Sequence, residues 1–288
     1  LFEVRDGDNL ENFKGKVTKA DSYSLTVENI SIDNIKSLNL PDKDGKITVN
    51  NISYSYDSWE AQVDAQGNIK SVTFNLSKDK AIADPEKTVA EGYLLNAGSA
   101  INARGIPYYM TQLNEFVRNF SEMFNQIESK GQNLNGDTPP TFFEAITNTA
   151  KVYDFSESEA YSKLPDGQTA TINSSSNTYY RMTAANFSVN KDVMNDVSLF
   201  ATSTDYVKTD SCDIVDELKK LQSEKTVYRG DKAESFLETI ISNVSVDTEK
   251  AETYNKLYSN LEQTIANQRT SVSGVDEDEE ALNLVKFQ

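Results

Sequence analysis

Carboxylates dominate the side chains of this sequence that could do chemistry. There are 45 Asp and Glu residues against 28 Lys and Arg, and no histidine. Without an imidazole there is no Ser-His-Asp triad, no His-Glu-x-x-His zinc site and no histidine base. Cys212 is the single cysteine, which excludes an intrachain disulfide and a Cys-x-x-Cys centre; a buried thiol is the expectation for it. None of the 12 glycines falls in a dinucleotide- or phosphate-binding loop. A pair of carboxylates able to cleave a glycoside survives this elimination, because that mechanism needs only two acids.

The densest acidic stretch runs from Asp276 to Glu280. On a helix those residues span more than a turn and point in several directions, so they read as a solvated face rather than a cation site. They also put negative charge on the first turn of a helix resuming after Gly274. Gly274 itself is either a kink or a close-packing point, since a helical Gly costs about 1 kcal/mol relative to Ala. The aromatic residues Tyr108, Tyr109, Phe116, Phe120 and Phe124 read as core rather than a ligand groove, and Trp59 as β-core rather than a sugar platform. The net charge of −17 argues against nucleic acid and anionic membrane as partners. No apolar run approaches the roughly 18 residues of a membrane span, and no signal peptide is visible.

The elements that carry these residues follow from periodicity. Alternation at 22–27, 51–56 and 69–74, with turns at Asp44-Gly45 and Gln66-Gly67-Asn68, predicts strands and a hairpin around 63–69 in a small antiparallel sandwich or barrel. The segment from Asp84-Pro85 to Ala103 is ambiguous. Ile106, Met110, Leu113, Val117, Phe120, Phe124 and Ile127 alternate steps of four and three, which predicts a long helix, opened near Pro107 and ended by Gly131 and Asn133. Residues 169–178 read as an exposed loop or hairpin tip, Tyr179–Met182 and Phe187–Val189 as strands, and 213–222 and 231–243 as helices. Tyr254, Leu257, Tyr258, Leu261, Ile265 and Val272 then form a second seam. The simplest partner for each of the two stripes is the other. The fold class expected is therefore α+β: an elongated antiparallel helical stalk with β-rich domains inserted. The divisions are 1–83, a β-rich domain; 84–135, a connector and the first stalk helix; 136–195, a second β-rich segment; and 196–288, a helical segment ending in the long C-terminal helix. The sequence opens on Leu1 and stops on Phe287-Gln288 with its apolar face still running. An interior piece of a longer protein is the expectation.

Ser271-Val272-Ser273-Gly274-Val275, then Asp278-Glu279-Glu280-Ala281, Asn283-Leu284 and Phe287-Gln288, resemble the C-terminal pattern of the flagellar hook-associated protein 1 family. Gly105-Ile106-Pro107-Tyr108-Tyr109 with Leu113-Asn114 and Phe124-Asn125 is similar to that family's central helix. Asn133–Gly136 with Phe142-Phe143, Thr183–Val189, Leu199–Ser203 and Leu1–Gly7 also look like it. Residues 1–104 otherwise carry no shared motif, so the β-rich domain is a candidate lineage-specific insertion. The resemblance implies a non-enzymatic structural protein at the hook–filament junction, without cofactors or metals, exported to the extracellular flagellum. Its implied partners are copies of itself, hook protein, a neighbouring hook-associated protein and a cytosolic export chaperone, with residues after Gly274 at subunit interfaces. This piece alone could be monomeric. Another axial protein (hook or flagellin-like) and a secreted glycan-binding or hydrolytic protein remain as alternatives.

Overall fold

In a computed structural model of the chain, the residues described are 13–32, 34–38, 40, 45–97, 106–158, 161, 163–207, 211–223, 226–228, 231–274 and 277–287. Leu1–Gly7, Asp44, Gly98, Gly105, Val275, Asp276 and Gln288, which the sequence reading used, lie outside them.

Strand alternation closes on itself in the first third of the chain. β1 (Phe13–Ala20), β2 (Ser24–Glu28), β3 (Gly45–Val49), β4 (Ile52–Val63), β5 (Ile69–Leu76) and β6 (Leu94–Ala97) run antiparallel in the order β3-β6-β1-β2-β5-β4. A further β3–β4 pairing, Gly45 opposite Tyr56 through Val49 opposite Ile52, completes a six-stranded barrel. Helix α1 (Pro85–Ala90) precedes β6, with Asp84 accepting the Lys87 N–H as its cap and Pro85 in the first turn. The ambiguous 84–103 stretch thus supplies both a helix and a closing strand. After it come α2 (Ile106–Glu128), β7 (Phe143–Ala145), β8 (Ala170–Asn173), β9 (Phe187–Val189), α3 (Lys191–Asn195), α4 (Asp213–Ser223), β10 (Thr226–Tyr228), β11 (Asp231–Lys232), α5 (Ala233–Ser273) and α6 (Glu277–Phe287). β7 pairs with β9 and β10 with β11. The chain divides into two units, Leu1–Leu237 and Glu238–Gln288.

β4 explains how one strand serves the whole barrel. Its first half pairs with β3; its second half lies between β5 and β8. Tyr54 and Tyr56 are buried, and strict alternation would then turn Trp59 outward. A bulge between Tyr56 and Ser58 adds one residue, so Trp59, Ala61 and Val63 are buried as well. The preceding turn uses Asn50 and Asn51, both at positive φ (47° and 62°), as a tight hairpin of this twist requires. Gly45 is needed for another reason: a Cβ there would run into the ring of the fully buried Tyr56.

The expected elongated helical stalk is overturned. The body of the first unit is the closed barrel, and α2 turns its polar side inward. Glu115, Arg118, Asn119, Ser121, Glu122, Asn125 and Glu128 are all buried, whereas Met110 on the apolar stripe is half exposed. The cause is a set of directed polar contacts. Arg118 donates from Nε to Met182 O at 3.0 Å and from Nη1 to Leu38 O at 2.9 Å, and its guanidinium lies 4.4 Å from the Tyr180 ring centre. Lys36 pairs with Glu122 at 2.7 Å. The second half of the expected zipper, Tyr254 to Val272, keeps its apolar side chains at least 50% exposed. Two local expectations also change. The 169–178 stretch holds β8, paired to β4 from Glu60 opposite Asn173 to Val63 opposite Ala170, and Tyr179–Arg181 is a 3-10 turn rather than a strand. Cys212, expected to be buried, is exposed.

Glu128 closes α2. One carboxylate oxygen accepts the Ala201 N–H at 2.8 Å; the other is buried without a partner. Burial raises its pKa from 4.5 to about 7, against the pull of that N–H. The helix C-terminus disfavours a negative charge too. A carboxyl whose folded pKa exceeds its unfolded value weakens the fold as pH climbs from 4.5 through about 7. Glu128→Gln should therefore be more stable than the parent at pH 8, by on the order of 3 kcal/mol, with the difference vanishing near pH 4; urea midpoints across pH measure it. Arg118→Leu should lower stability by about 3 kcal/mol at any of these pH values, read in the same titrations, because it strands two buried carbonyls and removes the cation from the Tyr180 ring.

Candidate functional site

Two apolar helix faces were expected to carry function, and the structure treats them differently. On α2, Ile106 opens the helix, Leu113, Val117, Phe120 and Phe124 are half-buried, and Ile127 is buried. Ile127 packs with Ile214 and Leu221 of α4, and Phe120, Met123, Phe124 and Leu218 flank that cluster. Phe124 meets Phe142 and Phe143 with ring centres 4.9 and 4.7 Å apart, and Phe143 meets Phe187 of β9 at 5.0 Å. Asn125 fixes this cluster by treating Phe143 as a strand partner. Its Nδ2 donates to Phe143 O and its Oδ1 accepts the Phe143 N–H, both at 2.9 Å. Gly131, just past the helix, lets Ala201 approach; a Cβ there would sit 2.5 Å from that of Ala201. These contacts make the α2 stripe an internal packing face over its C-terminal half.

The second face is open. Tyr254, Leu257, Tyr258, Leu261 and Ile265 are 50–60% exposed, Val272 89% and Phe287 93%. Leu284 is exposed as well, as are Ser271, Asp278, Glu279, Glu280 and Asn283. Ser273 is the last residue of α5, and Gly274 donates its N–H back to Thr270 O, where a Cβ would collide with that carbonyl. Gly274 is therefore the break between α5 and α6. The spacing of the open face reaches further upstream than Tyr254. Counted in sevens, Val244, Ala251, Tyr258, Ile265 and Val272 make one column, and Ile240, Asp247, Tyr254, Leu261 and Gln268 the other. Asp247, the polar intruder, pairs with Lys250 at 3.7 Å. Ile240 and Asp247, at the upstream end, are buried; from Tyr254 onward the large apolar side chains stand in water, and an apolar surface of that length is the kind that another chain covers.

The sequence reading missed the inward polar side of α2. Its signal was present in Glu115, Arg118, Glu122 and Asn125, which recur at steps of three and four with alternating charge. Among the described residues, no group of three or more His, Cys, Asp or Glu could hold a metal ion, and no helix is long and apolar enough to cross a membrane. No protein-family model matches the chain, and no curated protein is significantly similar to it.

The contrast between the two faces is measurable. Replacing both Tyr258 and Leu261 by Ala should leave the unfolding free energy of the chain within about 0.5 kcal/mol of the parent, since neither is buried. Ile127→Ala should cost about 3 kcal/mol by the same denaturant titration.

Proposed function

We infer that this chain is a structural subunit of the bacterial flagellum, acting at the junction between hook and filament by packing against its neighbours. The observation that carries the reading is the open face of α5 and α6, an apolar column that runs from Val244 through Ile265 into the 271–288 stretch whose residues resemble the hook-associated protein 1 family. A structural role also fits a chain without histidine, whose described residues gather no metal-binding cluster. On this reading the column packs on apolar helical surfaces of hook protein, of a neighbouring hook-associated protein and of other copies of the chain. The barrel is a lobe carried by each subunit. A cytosolic chaperone would cover the same apolar residues before export, because an uncovered column of Tyr, Leu and Ile invites aggregation.

The test is decoration of isolated hooks with fluorescently labelled chain, viewed by electron and light microscopy. Binding confined to the distal hook end, and lost when Leu261 and Ile265 are both replaced by Asp, is the expected result. Equal binding by that double variant, or no binding to hooks by the parent, overturns the reading. Retention of the chain on immobilised polysaccharide instead would favour the glycan-binding alternative.

A further inference from the structure

The barrel interior is filled along most of its length. Tyr56, Trp59, Phe74 and Leu95 are fully buried within it. At the end where β3 turns into β4 the filling stops, and a cavity of about 160 Å³ remains. Its inner wall is aliphatic and aromatic: Leu25 of β2, Val49 of β3, Tyr54 of β4 and Ile82 of the strap leading to α1, each less than a tenth exposed. Ile52 stands at the lip, 41% exposed, a large apolar side chain with its outer side in water.

The cavity is held open by hydrogen bonds rather than left over by loose packing. The strap is pinned at both ends, with Ser77 N–H donating to Ser55 O and Ile82 N–H to Ser22 O, each at 2.9 Å. α1 roofs it, and its Thr88 hydroxyl donates to Asp84 O at 2.8 Å. The Asn50-Asn51 turn fixes the third side. Collapse would break these backbone bonds, so the space persists.

Of the polar residues lining the mouth, Asp84, Lys87 and Thr88 have partners within the chain, and Asn50 and Tyr93 complete the rim. The Asp84 carboxylate accepts the Lys87 N–H at 3.0 Å, the Lys87 ammonium lies 3.7 Å from Glu91, and the Thr88 hydroxyl is committed to Asp84 O. Nothing in the site calls for a charged ligand. A cavity of this volume with aliphatic and aromatic walls is the size that accommodates benzene in other proteins, about 150 Å³. We propose that the barrel mouth binds one neutral, ring-sized apolar molecule of six to eight heavy atoms, seated among Leu25, Val49, Tyr54 and Ile82. This site is independent of the assembly face on α5 and α6.

The probe is toluene, with benzylamine and benzoate, one and two heavy atoms larger, as charged counterparts and neutral ethylbenzene as the size control, titrated into the full chain carrying ¹³C-labelled Leu, Val and Ile methyl groups. Saturable shifts are expected at the methyls of Leu25, Val49, Ile52 and Ile82 with toluene, with a dissociation constant on the order of 1 mM. Benzoate and benzylamine should bind at least tenfold more weakly. Ile52→Trp, at the half-exposed lip, should weaken toluene binding at least tenfold while its methyl spectrum away from the mouth stays that of the parent. Xenon pressurisation of the unmodified chain gives a second readout, with the same four methyls expected to shift. Toluene shifts that never saturate or that spread over the surface overturn the proposal. So does equal binding of the charged probes, or unchanged affinity in a folded Ile52→Trp variant.

Discussion

A buried guanidinium decides how the first unit is put together. Arg118 reaches from α2 to Leu38 O in the β2–β3 connection and to Met182 O in the turn after β8, and its guanidinium sits 4.4 Å from the Tyr180 ring centre. Tyr180 completes the link. Its hydroxyl donates to Leu40 O at 2.7 Å and accepts the Leu40 N–H at 2.8 Å, and its ring meets Trp59 edge-on at 5.0 Å. Three segments far apart in sequence are thereby tied to the barrel core through one cation. Burying a charge is costly unless its hydrogen bonds are met with good geometry, and here they are met by fixed backbone carbonyls. The consequence is rotational. Once Arg118 and Glu122 face inward, the apolar stripe of α2 must face away, toward α4 and the Phe142-Phe143 pair at β7.

The barrel solves a separate problem, that of edges. Closure between β3 and β4 leaves the six strands without an open margin along that half, and the far half of β4, which outruns β3, is covered by β8. A ring of six strands is narrow, so side chains fill it. That constraint explains the bulge at Asp57–Ser58. Without it Trp59 would leave the interior, and the core would lose both its bulk and its contact with Tyr180. It also explains Gly45, where the ring of Tyr56 occupies the place of a side chain. Core filling and α2 docking therefore depend on the same residue of β4.

The sequence announced what is periodic and local. Alternation at 22–27, 51–56 and 69–74 marked β2, β4 and β5, and the four-three spacing from Ile106 to Ile127 marked α2. Closure was not legible, because β6 contributes only Leu94–Ala97 and sits in a stretch where Gly92 and Gly98 weaken every pattern. β8 hid in a Ser/Thr/Asn-rich run, and its one buried residue, Ile172, gives no alternation to read. The inward polar side of α2 was missed because apolar spacing was taken to name the one buried side. That inference fails when directed polar contacts outbid nonspecific burial, as Arg118 does. For the open face, the residues from Tyr254 to Val272 were named from spacing alone. What spacing could not say is whether this chain covers them itself.

The composition of α5 shows why that question matters. Between Ile241 and Ser273 the helix is rich in Ser, Thr and Asn, which are poor helix formers. Ser245, Thr248, Thr264 and Thr270 donate their hydroxyls to carbonyls four residues back, a habit that loosens a helix slightly rather than stiffening it. Intrinsic propensity is therefore a weak reason for 41 residues to stay helical. The other available reason is packing: Ala233, Phe236 and Ile240 are buried at the start of the helix, and beyond them the column of Val244, Tyr254, Tyr258, Leu261 and Ile265 is the part arranged to provide it. A sequence that spends its apolar residues on a regular seven-residue repeat, while filling the remaining positions with indifferent helix formers, has placed its helical stability in a contact rather than in itself. On the proposed reading, a covering surface would match that repeat over many turns, which a small ligand or a flat membrane patch cannot do and another apolar helix can.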